Sequence, residues 1–324
     1  RRDEADGETG LMPLSEEVLA AFTNHDMVAI KSAEAMPHVS SVNFTKSAFY
    51  SKNWDAYTTV ARGLFIDNID NTIVARSYEK FFNHGERTET SDDALQSSLA
   101  FPVDGFSKAN GFLCITGYSE RTGELIIASK SRVDGTFAEY AQAIVAEKLG
   151  TAGMEKFLRF NRDQKASLVF EVIDIENDPH IIDYDENKLV LLGCIRRHET
   201  FEQVPYDLLV KIAKWLSCEV KERSFPRIKD WTALSKIMER VETNPTWLEK
   251  NPIEGIVFQD ANGFQWKSKG HFYATWKRMR SAVERIALCR RREIPFDRSR
   301  YDDLPDFADF IAWAETLPNE ALDP

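Results

Sequence analysis

The four residues Lys108-Ala109-Asn110-Gly111 could supply a nucleophilic amine. They precede the apolar run 112–115, so the lysine is expected at the mouth of a sheet rather than on a helix. A lysine amine has an ordinary pKa near ~10.4 and must lose its proton before it attacks phosphorus. We expect cationic surroundings to lower the pKa of Lys108. Taken alone, however, this motif also fits an ordinary exposed lysine in a turn.

Two acidic residues lie within or next to apolar, strand-like runs. Glu171 is in the middle of the run 168–173, which is apolar on both faces, and Glu254 precedes the run 256–258. An ionised carboxylate is costly in such surroundings unless it pairs with a cation or binds a polar ligand. Both glutamates are therefore candidate site residues.

Several lysines occur at or near the ends of strand-like runs. Lys267 and Lys269 are two residues apart, so they share one face of an extended chain. Lys130 follows the run 125–128. Like charges held side by side repel, which is reasonable if a polyphosphate lies between them. Together with the acids, these lysines indicate a pocket for a triphosphate and a metal ion.

The order of these motifs resembles that of the covalent nucleotidyltransferases, which include RNA ligases, DNA ligases and messenger RNA capping enzymes. Lys-x-Asn-Gly, Ser-Lys, Phe-Glu, Glu-Gly and Lys-x-Lys are similar to motifs I, Ia, III, IV and V. Upstream, the segments 61–65 and 78–83 resemble the signature of the bacteriophage RNA ligase 1 family and of the ligase domain of fungal tRNA ligase. The resemblance covers roughly residues 39–280.

The resemblance implies a role for each matching position. Lys108 matches the lysine that becomes adenylylated, and Glu171 and Glu254 match acids that grip the ribose or organise the metal. Asn110 stands where the phage enzyme has Asp, although Asn occurs there in tRNA ligases. The residues expected to bind the nucleotide are Arg62, Lys80, Phe82, Asn110, Gly111, Lys130, Glu171, Glu254, Lys267 and Lys269.

The activity implied is ATP-dependent RNA ligation through lysyl-AMP and RNA-adenylate, with Mg²⁺ or alternatively Mn²⁺. The partner would be RNA with 3′-OH and 5′-phosphate ends, as in tRNA repair. End-healing kinase or phosphatase modules are expected in the same polypeptide or complex. The alternatives are a DNA ligase, a capping nucleotidyltransferase, or a non-catalytic RNA-binding module on the same fold. Capping is disfavoured because helical patterns, rather than further strands, follow Lys269.

Composition is ordinary for a globular protein, with 43% hydrophobic and 29% charged residues. The net charge of −11 hides a basic stretch over 265–292, which fits either a solvated helix face or a surface for RNA phosphates. No apolar run is long enough to cross a bilayer, so no membrane partner is expected. The four scattered cysteines predict free thiols and a cytoplasmic location.

The elements that must position these residues predict an α+β fold: a nucleotidyltransferase domain of mainly antiparallel sheets with flanking helices, plus a small C-terminal helical module. Strand-like runs dominate residues 39–195, interrupted by a helix over 137–149 that Gly150 can end. Helical periodicity covers 200–249, and the turn 260–263 joins two strands. The predicted division is a linker at 1–12, the main domain at 13–275 and the module at 276–324.

Four further aromatic or imidazole side chains have less specific patterns. His84 is predicted to be a polar loop histidine, and His271 could equally lie near the pocket or away from it. Tyr273 and Trp276 are expected to anchor the core of the tail rather than to stack on bases. Lys277, on the face opposite the apolar stripe of the last long helix, is expected to face solvent or a phosphate backbone.

Overall fold

The computed structural model describes residues 11–178, 180–243, 253–302 and 307–322. Its larger sheet has the order β1-β2-β3-β4-β7-β9-β10-β11, with β8 paired to β7. All of its pairs are antiparallel except β10 with β11. Its strands are β1 (Val28–Ser32), β2 (Val39–Phe44), β3 (Leu64–Asp67), β4 (Ile73–Arg76), β7 (Phe112–Ser119), β8 (Glu124–Ala128), β9 (Ala166–Ile173), β10 (Lys188–Arg196) and β11 (Glu219–Val220).

The smaller sheet has the order β12-β6-β13-β14-β5, and only β14 with β5 is parallel. Its strands are β5 (Phe82–Asn83), β6 (Val103–Lys108), β12 (Phe225–Ile228), β13 (Gly255–Gln259) and β14 (Gln265–Lys269). The mainly antiparallel α+β prediction is confirmed.

Helices flank both sheets and form the C-terminal part of the chain. Ser15 caps the first helix, because its hydroxyl accepts a hydrogen bond from the Val18 N–H. The helices are α1 (Glu16–Asn24), α2 (Lys46–Ser51), α3 (Ala56–Val60), α4 (Asp92–Ser98), α5 (Thr136–Asp163), α6 (Tyr206–Leu216), α7 (Trp231–Thr243), α8 (His271–Arg291), α9 (Phe307–Ala314) and α10 (Asn319–Leu322), with 3₁₀ turns at Thr88–Thr90 and Arg298–Tyr301.

Each sheet buries one face against helices. Phe170 and Val172 of β9 pack in a core that α5 and α6 complete, whereas Trp266 of β14 packs against Leu234 and Met238 of α7. Side chains alternate along a strand, so Glu171 points away from the first core. The uncovered faces of the two sheets meet across a cleft, and this is where the chemistry-bearing side chains lie.

Some predicted element boundaries are wrong. At Gly150 the backbone is not helical (φ 62°, ψ −179°), so α5 consists of two helical segments: the first ends there as predicted, and the second, which was not predicted, continues to Asp163. Strands β11 and β12 interrupt the region 200–249, because the periodic pattern belongs to two separate helices, α6 and α7. Trp276 is not a core anchor, since 46% of it is exposed.

Helix α8 begins at His271, so the predicted division at 275/276 falls inside a helix; the division itself stays a prediction. The part of this division at 1–10 lies outside the described residues. No helix among the described residues is both long and apolar enough to span a bilayer. The four cysteines are free, as predicted.

His84 ties the end of β5 to two helices. Its Nδ1 lies 2.9 Å from Glu242 Oε1 on α7, and its Nε2 lies 2.8 Å from Asp92 Oδ1 on α4. The hydrogen bond to Glu242 and the second one to Asp92 raise the pKa of His84 to about 9. The prediction of a polar loop histidine is confirmed, and its role here is to hold the edge of the smaller sheet.

Replacing His84 with Gln should therefore destabilise the protein in a pH-dependent way. The pKa is higher in the folded chain than in the unfolded one, so the stabilisation is complete below about pH 6.5 and is lost as pH rises through about 9. Urea unfolding should show a loss of about 1 kcal/mol at pH 6, a figure that allows for the exposure of Asp92, and a much smaller loss at pH 9.5. The exposed His271→Gln variant is the control, and an equal loss at both pH values would contradict the ion-pair explanation.

Candidate active site

Lys108 lies at the end of β6, where the pairing with β13 places it beside Glu254. Lys108 aligns with Gly255, and the Glu254 N–H donates to the Lys108 carbonyl at 3.0 Å. The Lys108 Nζ donates to Glu254 Oε2 at 2.6 Å. The other carboxylate oxygen of Glu254 lies 2.8 Å from Lys269 Nζ. One buried carboxylate at the start of β13 therefore contacts two lysines from the strands on either side, β6 and β14, as the register of the sheet dictates.

The glycines that follow Asn110 and Glu254 are required by close backbone approach. A Cβ at Gly111 would lie 2.1 Å from the Val172 carbonyl oxygen, and one at Gly255 would lie 2.1 Å from the Ser268 carbonyl oxygen. Both distances are far below van der Waals contact. Gly111 therefore supports the nucleophile through packing, although the sequence suggested a nucleotide contact.

Glu171 reaches the cleft from the larger sheet. Its Oε1 accepts a hydrogen bond from the Gly111 N–H at 2.9 Å, and only 7% of the residue is exposed. Burial raises the pKa of Glu171, although the nearby Lys108 charge acts in the opposite direction. The two predicted acids thus approach the same lysine from opposite sheets.

These residues line a cavity of about 470 Å³ between the sheets. The wall includes Arg62 and Lys130 from the larger sheet's side, as well as Phe81 and Val257. The predicted site residues found in the wall are Arg62, Lys108, Asn110, Gly111, Lys130, Glu171 and Glu254.

Three predicted lysines, Lys80, Lys267 and Lys269, are not wall residues of this cavity but lie near enough that Arg62 affects the pKa of Lys80 and of Lys267. Lys267 Nζ is 5.2 Å from the Phe81 ring, and Lys80 Nζ is 4.3 Å from the Phe82 ring. Burial, together with the charges of Lys269 and Lys80, lowers the pKa of Lys267 to about 6. Within the described ranges, neither Lys267 nor Lys80 forms an ion pair with a carboxylate. Concentrated positive charge without matching acids is suited to an anion such as a triphosphate.

The expectation that the surroundings lower the pKa of Lys108 is wrong. Burial alone would lower this pKa, but the carboxylates of Glu171 and Glu254 outweigh burial and raise it. The prediction counted the nearby lysines and missed that the two acids lie closer to the amine. Lys108 is therefore protonated until something changes the charge around it.

Asn110 is held by protein groups rather than pointing freely into the cavity. Its N–H donates to the Tyr184 hydroxyl at 2.8 Å, and its Nδ2 donates to the Tyr273 hydroxyl at 3.2 Å. Its Oδ1 accepts from the Ile182 N–H at 3.3 Å. Tyr273 is buried, but it lies in the cavity wall instead of anchoring the core of the tail. Asn110 thus fixes the backbone next to Lys108.

Phe82 does not lie in the cavity wall. Its ring packs edge-on against Trp54 at 5.6 Å between centroids, and the neighbouring Phe81 faces the cavity instead. Alternation along an extended chain explains the difference, because a shift of one residue reverses the face. His84 and His271 are not among the wall residues.

Sequence reasoning missed Lys221 and misjudged Lys277, both of which line the cavity. Lys277 comes from α8, and was expected to face solvent or a phosphate backbone. Lys221 directly follows β11 and is only 9% exposed. The available signal was a lysine after the alternating residues Cys218, Glu219 and Val220, but that pattern is short and not specific.

The two carboxylates fit a metal ion only in a limited sense. Glu171 and Glu254 both reach the cavity, but both oxygens of Glu254 already contact lysines. In the described part of the chain, no group of three or more His, Cys, Asp or Glu side chains could hold a metal. Mg²⁺ is usually bound by one or two carboxylates together with substrate phosphates. The site therefore suits an ion that arrives with a triphosphate.

The sequence comparisons agree with this chemistry. Residues 60–276 match the model of a family described as RNA ligase. A tRNA ligase of Candida albicans is 30% identical over 227 residues, which cover 61% of this chain and 26% of that protein. The tRNA ligase 1 of Schizosaccharomyces pombe is 26% identical over 245 residues, covering 68% of this chain and 30% of that protein. The chain thus spans less than a third of the length of these relatives.

Solved structures share the fold at low sequence identity. An archaeal ATP-dependent RNA ligase superposes with a TM-score of 0.59 at 14% identity, covering 94% of this chain and 77% of that one. A protein described as an ATP-dependent DNA ligase from Aquifex aeolicus gives 0.56 at 11% identity, covering 93% and 77%. The similarity concerns the fold, which both kinds of ligase have.

The lysines clustered around Lys267 should destabilise the folded protein. Replacing Lys267 with Met removes an amine whose protonation is opposed by burial and by the neighbouring cations, so the free energy of unfolding should rise by about 0.5–2 kcal/mol. Urea unfolding without nucleotide measures this, with the exposed Lys31→Met variant as control. If Lys267→Met is less stable than the native chain, the side chain contributes packing that outweighs its repulsion.

Proposed function

The chain belongs to the RNA ligase family, and from that premise we propose that it joins RNA 3′-OH and 5′-phosphate ends with ATP, through lysyl-AMP. The observation that carries this proposal is the cavity in which Lys108, Glu171 and Glu254 meet, with Lys269 paired to Glu254. Such a cavity combines one amine able to attack phosphorus with cations able to hold phosphates.

In the first step, Lys108 Nζ attacks the α-phosphorus of ATP. A nitrogen–phosphorus bond forms, the bond to the bridging oxygen breaks, and pyrophosphate leaves while the amine loses a proton. Lys267, Lys269 and Arg62 would stabilise charge that develops on the phosphate oxygens. Lys267 and Lys269 are suited to this because, among the described residues, no carboxylate forms an ion pair with Lys267.

The nucleotide must also release the Lys108 proton. The charges of Glu171 and Glu254 favour the protonated form of the amine. A bound triphosphate offers Lys269 a stronger anionic partner than Glu254, and a Mg²⁺ ion held by Glu171, Glu254 and the phosphates would supply further positive charge. Both changes weaken the electrostatic stabilisation that Glu171 and Glu254 give to the protonated Lys108. Burial then favours the neutral amine.

In the later steps, AMP passes to an RNA 5′-phosphate, and a 3′-OH displaces it to form the phosphodiester. We assign tRNA with broken ends as the substrate because the two fungal relatives are described as tRNA ligases. Those relatives are three to four times as long as the matched region, and the remainder leaves room for end-healing kinase or phosphatase modules. A cytoplasmic site of action fits the four free thiols.

Other enzymes of this fold remain alternatives with distinct outcomes. A DNA ligase would seal DNA ends, and a capping enzyme would form a lysyl-GMP. Past Lys269 the described residues contain helices and no further strand. A non-catalytic RNA-binding module would bind RNA without forming any lysyl-nucleotide.

Lys108→Ala should abolish labelling of the protein by ATP carrying ³²P at the α-phosphorus, because the nitrogen that bonds phosphorus is gone. The same variant should fail to seal nicked RNA and tRNA halves, while retaining the fold by circular dichroism. Lys214→Ala, an exposed lysine on α6, is the matched control and should label normally. Labelling of Lys108→Ala to the native extent would overturn the assignment. Labelling by GTP, or sealing confined to DNA, would select one of the other enzymes.

A further inference from the structure

The cleft contains a second compartment beyond the one that holds Lys108. This distal compartment has a volume of about 460 Å³ and lies toward the start of β6, with Asp104, Gln259 and Gly193 in its wall. It shares a junction with the first compartment, formed by Tyr78, Phe106, Leu192 and Lys221. The junction residues therefore border both compartments.

Lys221 sits where the chain crosses between the two sheets. Its N–H donates to the Leu191 carbonyl of β10 at 2.9 Å, and the next residue accepts from the Ser107 N–H of β6, also at 2.9 Å. The Lys221 carbonyl accepts from the Tyr206 hydroxyl at 2.9 Å. These bonds fix the backbone, so the direction of the side chain is set by the fold.

The Lys221 amine faces aromatic rings and the cavity rather than an acid. Its Nζ is 4.3 Å from the Phe106 ring centroid and 5.9 Å from that of Tyr78. Within the described residues, no carboxylate lies at ion-pair distance from it. Burial lowers the pKa of Lys221 to about 8, against the weaker influence of Asp104. A buried donor kept without an acidic partner is costly unless a ligand supplies an acceptor.

The spacing along β6 relates this donor to the nucleophile. Phe106 and Lys108 are two residues apart and share one face, which separates them by roughly 6.7 Å. In lysyl-AMP, the α-phosphorus would be bonded to Lys108, and the ribose would separate it from the base by a distance similar to that between Lys108 and Phe106. The base would then reach the level of Phe106, where Leu192 and Val257 add apolar walls. Val257 pairs with Phe106 across β6 and β13.

We propose that the junction holds the base of the nucleotide and that Lys221 selects adenine by donating a hydrogen bond to its N1. This inference rests on the proposed function. The edge of the base farthest from the ribose carries N1, and this edge would point away from Lys108 toward the distal compartment. In adenine N1 accepts a hydrogen bond, whereas in guanine it carries a hydrogen that would face the ammonium group. Lys221 thus acts as a specificity-determining residue.

The test compares single-turnover formation of the lysyl-nucleotide from ATP, 1-deaza-ATP, 7-deaza-ATP and GTP. In 1-deaza-ATP a C–H replaces N1, so the native chain should react with it about tenfold to a hundredfold less efficiently than with ATP. The 7-deaza analogue should react nearly as well as ATP. For Lys221→Met, the efficiency with ATP should fall to that of 1-deaza-ATP, and the difference between these two nucleotides should disappear.

Two further variants keep the outcome decisive. Lys221→Arg retains a donor and should keep most of the preference for N1, and the exposed Lys211→Met on α6 should behave as the native chain does. If Lys221→Met does not fold, the comparison of ATP with 1-deaza-ATP in the native chain and in Lys221→Arg still tests the proposal. Equal use of ATP and 1-deaza-ATP by the native chain overturns the role of Lys221 and leaves the ligase assignment intact. Absence of any lysyl-nucleotide overturns the ligase assignment itself.

Discussion

One buried carboxylate shared by two lysines organises the cleft. Glu254 contacts Lys108 from β6 and Lys269 from β14, so it joins the nucleophile to a phosphate-binding strand. Burial would raise the pKa of Glu254, but the two lysine charges lower it to about 2. Removing either lysine would leave a buried charge with half its compensation, which explains why these three residues occur together.

The same contacts keep the nucleophile protonated. Lys108 keeps its proton beside Glu254 and Glu171, while Lys267 is crowded by like charges. A bound triphosphate would reduce the repulsion around Lys267. It would also weaken the interaction that keeps Lys108 protonated. The resting protein carries unfavourable electrostatics at the cleft, and its helix-covered cores around Phe170 and Trp266 must offset that cost.

Much of this site could be predicted from the sequence because its chemistry is local. A charged residue within an apolar strand, such as Glu171, and a lysine before Asn-Gly are visible as short patterns. Most of the predicted side chains converge on the same cleft, although their roles stay predictions. The α+β class and the hairpin between β13 and β14 also follow from periodicity and turn residues.

The errors arose where distant contacts decide the result. Phe81 rather than Phe82 faces the cavity because the pairing with β14 sets the face of that short strand. Lys221 gains its surroundings from β6 and β10, neither of which is near it in sequence. The hydrogen bonds of Asn110 have a related consequence for substitution. An aspartate at that position would have no N–H to offer the Tyr273 hydroxyl, so the polarity of this contact would have to reverse, with the phenol on α8 becoming the donor.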